Sequence, residues 1–168
     1  MTQIVYRDAR PDESGLILEF IKKLAIYENL AHEVVATEQD IRTTLFGGDP
    51  KAFCVFADMD GKAVGFALCF YNYSTFQGKP GIYIEDIFVE DNYRGHGIGK
   101  GFFRHLAQKA KAEDCGRIQW WVLDWNEPSI NFYKSLGAKP MDEWTVFRLE
   151  GNAIAVLADG HNSKRKIA

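Results

Sequence analysis

Two short segments carry residue types at spacings that could do chemistry. The first, Arg94-Gly95-His96-Gly97-Ile98-Gly99-Lys100-Gly101, follows a β-rich run and opens a helical pattern. Glycines let a backbone approach an anion closely, and a helix start adds unpaired N–H groups and a positive dipole end. In physical terms this is a pyrophosphate cradle. A plain tight turn is the alternative, and the strand before and amphipathic helix after count against it. A Walker loop needs a hydroxyl residue after the lysine, which is missing here. The dinucleotide fingerprint fails too, because Gly99 follows Gly97 too soon and the loop lies past mid-chain. The spacing that fits is Arg-x-x-Gly-x-Gly, as Arg94, Gly97 and Gly99.

The second segment, Trp125-Asn126-Glu127-Pro128-Ser129-Ile130-Asn131-Phe132-Tyr133-Lys134, opens a helix straight after an apolar strand. Asn126 can cap that helix. Tyr133 falls near its middle, among Ile130, Phe132 and Leu136. It is either a packed aromatic or a phenol that protonates a thiolate leaving group as a general acid.

The elements that position these segments can be read from periodicity. Gln3–Arg7 reads as a first strand, and Pro11-Asp12-Glu13-Ser14 as a helix start with acids in its first turn. Leu16, Ile17, Phe20, Ile21, Leu24 and Ala25 recur at helical spacing. Thr37-Glu38-Gln39-Asp40 predicts a capped second helix carrying Ile41 and Leu45, stopped by Gly47-Gly48-Asp49-Pro50. Phe53–Ala57 and Ala63–Tyr73 predict strands joined by a hairpin turn over residues 58–62. Ile82–Val89 is a strand, Ile98–Ala112 a helix striped by Phe102, Phe103, Leu106 and Ala110, and Arg117–Leu123 another strand. Pro128 opens a helix that Gly137 follows, and Trp144–Leu149 reads as a last strand. The order is mixed α/β, hairpin-rich first and strand–helix–strand later.

Composition bounds the rest. A chain of 168 residues, 46% hydrophobic and 26% charged, suits one soluble domain spanning 1–168. Its net charge of −3 argues against a nucleic-acid partner, because phosphate contacts need a basic surface. No apolar run reaches the roughly 20 residues of a membrane span, and the N-terminus has no signal pattern. Cys54, Cys69 and Cys115 match no metal spacing. The first two sit in apolar runs as buried thiols, consistent with a reducing cytoplasm. The tail from Asp159 to Lys166 reads as a frayed basic end. His96 and His105 have no identifiable acid or metal partner in the sequence.

Arg94–Gly99 taken with Asn126–Tyr133 resembles the GNAT superfamily. From about Val5 to Phe147 the chain looks like the diamine acetyltransferases, the spermidine/spermine and thialysine group. Ala25-x-Tyr27-Glu28, Ile84-Glu85-Asp86-Ile87-Phe88-Val89, Tyr93–Gly99 and Trp125–Tyr133 carry that likeness. The resemblance implies a mixed, largely antiparallel central sheet flanked by helices and splayed at an acetyl-CoA site. It implies acetyl-CoA as co-substrate, no metal, and a homodimer with the amine site at its interface. Backbone groups of Ile87, Phe88 and Val89 would hold the acetyl and pantetheine part. Arg94, Gly95, His96, Gly97, Ile98, Gly99 and Lys100 would hold the pyrophosphate. Asn126, Glu127, Pro128 and Ser129 would line the rest of the cofactor arm. Tyr133 corresponds to the tyrosine proposed to protonate the thiolate, and Glu85 to the general base acting on the ammonium through water. Substrate contacts map to Tyr27, Glu28, Glu85, Gln119, Trp120, Trp121 and one of Asp142 and Glu143, with Asp142 preferred.

The chemistry requires such a base. An alkyl ammonium with a pKa near 10 must lose its proton before it can attack a thioester. Strand alternation predicts that Glu85 and Asp86 point to opposite faces, so that one of them at most faces a given site. Ser74, where polyamine enzymes tend to carry an acid, and Leu123-Asp124-Trp125-Asn126 read more like the thialysine branch. An amino-acid acceptor wants a cation near its carboxylate, and Lys79 is the candidate, though a solvated loop lysine is the simpler account. The expected activity is transfer of acetyl from acetyl-CoA to a small amine: a thialysine or lysine analogue, a diamine or a polyamine. The alternatives are acetylation of a protein N-terminus or lysine, and a non-catalytic acyl-CoA sensor.

Overall fold

A computed structural model of the chain describes residues 3–160, and the basic tail beyond Gly160 lies outside them. The chain divides into two compact units between Glu127 and Pro128. The first contains β1 (Ile4–Asp8), α1 (Ser14–Tyr27), α2 (Glu38–Phe46), β2 (Phe53–Met59), β3 (Lys62–Ser74), β4 (Lys79–Val89), α3 (Ile98–Ala112) and β5 (Arg117–Trp120). The five strands form one sheet in sequence order. Successive neighbours are antiparallel except β4 and β5, which run parallel across the α3 crossover.

Local chemistry explains the turns and caps. The Thr37 hydroxyl accepts from the Asp40 N–H at 3.2 Å, and the Asp40 carboxylate accepts from the Thr37 N–H at 2.8 Å, a reciprocal box at the α2 start. β2 and β3 join through Asp60-Gly61, both at positive φ (52° and 81°), between the paired Met59 and Lys62. That is the two-residue hairpin the Asp-Gly pair favours.

Each face of the sheet is covered. On one, Ile17, Phe20 and Leu24 of α1 and Ile41 of α2 pack with Cys54, Phe56, Phe66 and Phe88. On the other, α3 buries the predicted stripe of Phe102, Phe103, Leu106 and Ala110, together with Ile98. The Phe102 ring approaches so closely that a Cβ on Gly65 would lie 3.2 Å from it. Cys54 and Cys69 are buried as free thiols, and burial pushes Cys69 up to about 12.

The second unit departs from expectation. α4 (Glu127–Ser135) starts at the division and ends as predicted: Gly137 takes φ +86°, and the Ala138 N–H donates to the Tyr133 carbonyl at 3.2 Å. Trp144–Leu149, however, has no regular structure, and a short helix α5 (Asn152–Ala158) follows it. Aromatic and β-branched residues favour a strand only where a neighbouring strand receives them. Trp144 and Phe147 are 69% and 92% exposed, so among the described residues none covers them as a neighbouring strand would.

Candidate active site

The parallel pairing of β5 with β4 ends at Ile84↔Trp120, while β4 continues to Val89. β5, expected to reach Leu123, stops at Trp120. From Glu85 onward the β4 edge therefore has no β5 partner, and this is the splay of the sheet. A free strand edge offers backbone N–H and C=O groups to an extended, amide-bearing ligand. The edge leads through a turn at Asp91–Tyr93 into the glycine loop. Gly95 and Gly97 take φ of +80° and +79°, left-handed values that glycine alone adopts freely. Gly97 is the N-cap of α3, so the loop's exposed backbone leads directly into the helix start. Strand edge, left-handed glycines and helix N-terminus together fit the pantetheine amides and pyrophosphate of a coenzyme A thioester.

Tyr6, which the sequence did not single out, braces this loop. Its hydroxyl donates to the Ile98 carbonyl at 2.9 Å. Its ring meets Phe102 edge-on at 5.1 Å and stacks on His105 at 5.9 Å. The contact needs Gly101, where a Cβ would stand 1.7 Å from the Tyr6 hydroxyl oxygen. Gly101 thus serves helix–strand approach, whereas Gly95 and Gly97 set the left-handed turns of the loop.

At the point where the sheet splays, the acids collect. β3 pairs Leu68 with Asp86 but Cys69 with Ile84, so Glu85 is an extra residue in a β-bulge. The alternation expected for Glu85 and Asp86 does not carry through this point. Before the bulge Ile84 lies in the row of Cys69 on the α3 side; after it Asp86 and Phe88 lie in the rows of Leu68 and Phe66 on the α1 side. Glu85 is exposed, whereas Asp86 is half-buried. Burial first, then the neighbouring charges of Glu85 and Glu28, raise Asp86 to about 6. Glu28, at the C-terminal end of α1, is also raised by burial. Glu85 and Glu28 are thus each close enough to act on Asp86.

Aromatic groups frame this acidic end. The Arg94 guanidinium lies 4.7 Å from the centroid of Tyr27 and 5.5 Å from that of Phe88. Arg94 also donates to the Val89 carbonyl at 3.0 Å and pairs with Asp91 at 2.8 Å. It therefore ties the loop to the strand end and to α1. The Tyr27 hydroxyl reaches the Asn126 side-chain oxygen at 3.4 Å, and its ring sits 6.2 Å from Trp125. Asn126 is buried. On β5, Gln119 accepts from the Asn72 amide at 2.9 Å, and just past its end exposed Trp121 meets Tyr83 edge-on at 5.9 Å. Trp120 instead packs on Phe103 of α3 at 4.8 Å.

The structure thus brings Tyr27, Glu28, Glu85, Asn126 and the strand Ile87–Val89 into one region of the first unit. In the loop, the imidazole of His96 meets the Tyr93 and Arg94 carbonyls, and Lys100 is exposed. Glu127 is the exposed first residue of α4. Pro128, Ser129, Tyr133 and Asp142 belong to the second unit, where Tyr133 lies on α4 with its ring 5.5 Å from Phe132. Lys79 is engaged by Asp114 at 2.6 Å. Ser74 is buried in the β3–β4 turn, accepting from the Gln77 N–H. Among the described residues no group of His, Cys, Asp or Glu could hold a metal, and no helix is long and apolar enough to cross a membrane.

Comparison with known proteins now decides the family. Residues 20–138 match the Acetyltransferase (GNAT) family. The chain belongs to this family of acetyltransferases. Its sequence is 37% identical to the thialysine N-epsilon-acetyltransferase of Bos taurus, with 94% of this chain and 99% of that protein covered. It is 32% identical to an L-ornithine N5-acetyltransferase of Arabidopsis thaliana, covering 90% and 86%. Among solved structures, an integron cassette protein from the mobile metagenome of V. cholerae superposes with a TM-score of 0.77 at 26% identity, covering 92% of this chain and 97% of that one. The mixed sheet flanked by helices is thus the architecture of a GNAT acetyltransferase, and acetyl-CoA is the co-substrate of such enzymes.

Proposed function

We propose that the chain transfers the acetyl group of acetyl-CoA to a primary amine of a small molecule, with both units acting as a single acetyltransferase domain. The observation that carries this is the coincidence of splay and acids. β5 leaves β4 at Ile84, and the next residue is the bulged Glu85 beside Asp86. The free β4 edge at Ile87, Phe88 and Val89 takes the pantetheine amides. Arg94 orders the loop, and Gly95 to Lys100 with the α3 start take the pyrophosphate. Asn126 to Ser129 line the remaining arm.

Glu85 accepts a proton from the incoming ammonium, through water, and frees the nitrogen lone pair. The nitrogen bonds to the thioester carbonyl carbon as the C–S bond breaks, and Tyr133 returns a proton to the departing sulfur. Glu28, Asp86 and the face of Tyr27 attract the cation before it reacts. Gln119, Trp121 and Asp142 bound the acceptor, while Trp120 holds the strand on α3.

The substrates for which these relatives are named, thialysine and L-ornithine, are amines on amino acids. They favour such acceptors over polyamines, in line with Ser74 in place of an acid. A cytoplasmic homodimer fits the buried free thiols and the exposed apolar Trp144–Leu149 segment, which a second copy would cover. Turnover with acetyl-CoA against thialysine, lysine, ornithine, putrescine and spermidine tests the reading. Amino-acid amines should lead. A clear preference for spermidine would reverse the substrate ranking. Full activity in both Tyr133→Phe and Glu85→Gln would remove the assigned acid and base, and tight coenzyme A binding without any turnover would point to a sensor.

A further inference from the structure

Arg94 opens the glycine loop in sequence, yet its side chain turns to a different element. Its Nε donates to the Val89 carbonyl at 3.0 Å, and a terminal nitrogen pairs with Asp91 at 2.8 Å. Two such bonds fix the plane of the guanidinium at the end of β4. There it lies over the ring of Tyr27 on α1, 4.7 Å from the centroid, and 5.5 Å from that of Phe88. A cation so placed is attracted by the electron-rich face of each ring.

Tyr27 is the last residue of α1, and the way that helix ends ties it to Glu28. The Asn29 N–H donates to the Ile26 carbonyl at 3.1 Å and the Leu30 N–H to the Ala25 carbonyl at 2.8 Å, while Asn29 takes a left-handed φ of 61°. This is a Schellman ending, with asparagine where glycine is commoner. Its C-cap is Glu28, the acid that acts on Asp86. Tyr27 and Glu28 therefore shift together or not at all. The Tyr27 hydroxyl reaches the Asn126 side chain at 3.4 Å, and its ring lies 6.2 Å from that of Trp125, so the α1 end is held from a second side as well.

We propose that Arg94 is a positioning residue for the amine acceptor: through the ring of Tyr27 it sets where Glu28 stands, and so couples the cofactor loop to the acceptor site. The proposal rests on the small-amine acetyltransferase reading and gives Arg94 a role apart from the pyrophosphate. The physical ground is direction. A guanidinium that grips a phosphate turns its N–H fork to that phosphate. Here Nε and one terminal nitrogen are bonded to Val89 and Asp91, and the flat face is turned to a ring on another element. A lysine would keep the charge but has neither the fork nor the face. The ordered loop places the guanidinium, and the guanidinium places Tyr27. By linkage, an acceptor held at Tyr27 and Glu28 favours the ordered loop in return.

The test separates KM from kcat, with thialysine or lysine as acceptor at saturating acetyl-CoA. Arg94→Lys should raise the acceptor KM roughly 3–30-fold, the size of one cation–π contact, and change kcat less than about threefold. If Arg94 served the pyrophosphate alone, saturating acetyl-CoA would return the acceptor KM to its wild-type value, and that result would overturn the proposal. Tyr27→Leu removes the ring that Arg94 meets and should raise the acceptor KM by itself. In that background Arg94→Lys should add less than about twofold. Losses that multiply in the double variant would show two independent contacts and sink the coupling. Should Arg94→Lys not fold, acetyl-CoA titration of Tyr27→Leu decides: an affinity roughly 2–10-fold weaker supports the coupling, and an unchanged one refutes it. If no amine turns over, the small-amine reading fails by itself. Calorimetric titration of thialysine into the coenzyme A complex then separates the two: binding weakened by Arg94→Lys supports the positioning role, and unchanged or absent binding refutes it.

Discussion

The glycine loop and the acidic end of β4 adjoin in space and are built by opposite means. The loop is backbone. Its working parts are the left-handed Gly95 and Gly97, the N-cap of α3 and the free edge of β4. The acidic end is side chains. Glu85, Asp86 and Glu28 gather there, burial raises Asp86 and Glu28, and the charges of Glu85 and Glu28 add to the rise at Asp86. A backbone site is controlled by volume and φ, because its donors cannot be moved without moving the chain. A side-chain site is controlled by charge and dielectric. The first suits a cofactor handle that is the same in every turnover, and the second suits an acceptor that must change protonation state to react.

Charge removal at the acidic end without a change of volume gives the largest expected effect. Glu85→Gln should lower kcat by roughly 10²–10⁴, the range for a positioned general base, and leave the acetyl-CoA dissociation constant nearly unchanged. A matching loss in acetyl-CoA affinity would break the division between the regions.

Volume added beneath the loop comes next. Gly101→Ala sets a methyl 1.7 Å from the Tyr6 hydroxyl oxygen, so helix and strand must part. The expected cost is about 1–3 kcal/mol of stability, with acetyl-CoA affinity weakened and the pH profile of kcat unchanged. Thermal denaturation and calorimetric titration read both.

Asp86 should reveal itself through pH. Its folded value is raised from 3.8 to about 6, so the folded state binds this proton more tightly than the unfolded chain does. Stability from this group is therefore fullest below about pH 4, declines between pH 4 and 6, and is lost above that. Asp86→Asn should stabilise the protein by at most about 3 kcal/mol at pH 7.5 and by little at pH 4. Melting temperatures at the two pH values check this, and a gain of equal size at both would show that ionisation is not the cause.

Tyr6→Phe should be the mildest. It deletes one hydrogen bond to Ile98 and keeps the ring packing, for a loss of about 0.5–1.5 kcal/mol and a small rise in the acetyl-CoA KM. An effect as large as that of Gly101→Ala would mean that the bond, and not helix–strand spacing, sets the loop.

The sequence by itself determined most elements of the first unit and the identity of the cofactor side. The α3 stripe, the Thr37–Asp40 box and the Asp60-Gly61 turn are each specified by neighbours within a few residues. Arg94, Gly97 and Gly99 fix a loop whose spacing excludes the Walker and dinucleotide fingerprints. Tertiary structure alone decided the rest, because those features depend on contacts between residues far apart in the chain. Periodicity places Glu85 and Asp86 on opposite faces, and only the pairing of β4 with β3 shows the bulge that sets Glu85 outside the alternation and puts Asp86 in the row of Leu68. Propensity makes Trp144–Leu149 a strand, yet a strand exists only where another edge receives it, and among the described residues none does. Tyr6 and Gly101 are 95 positions apart. The loss of a Cβ at one is meaningful only beside the hydroxyl of the other.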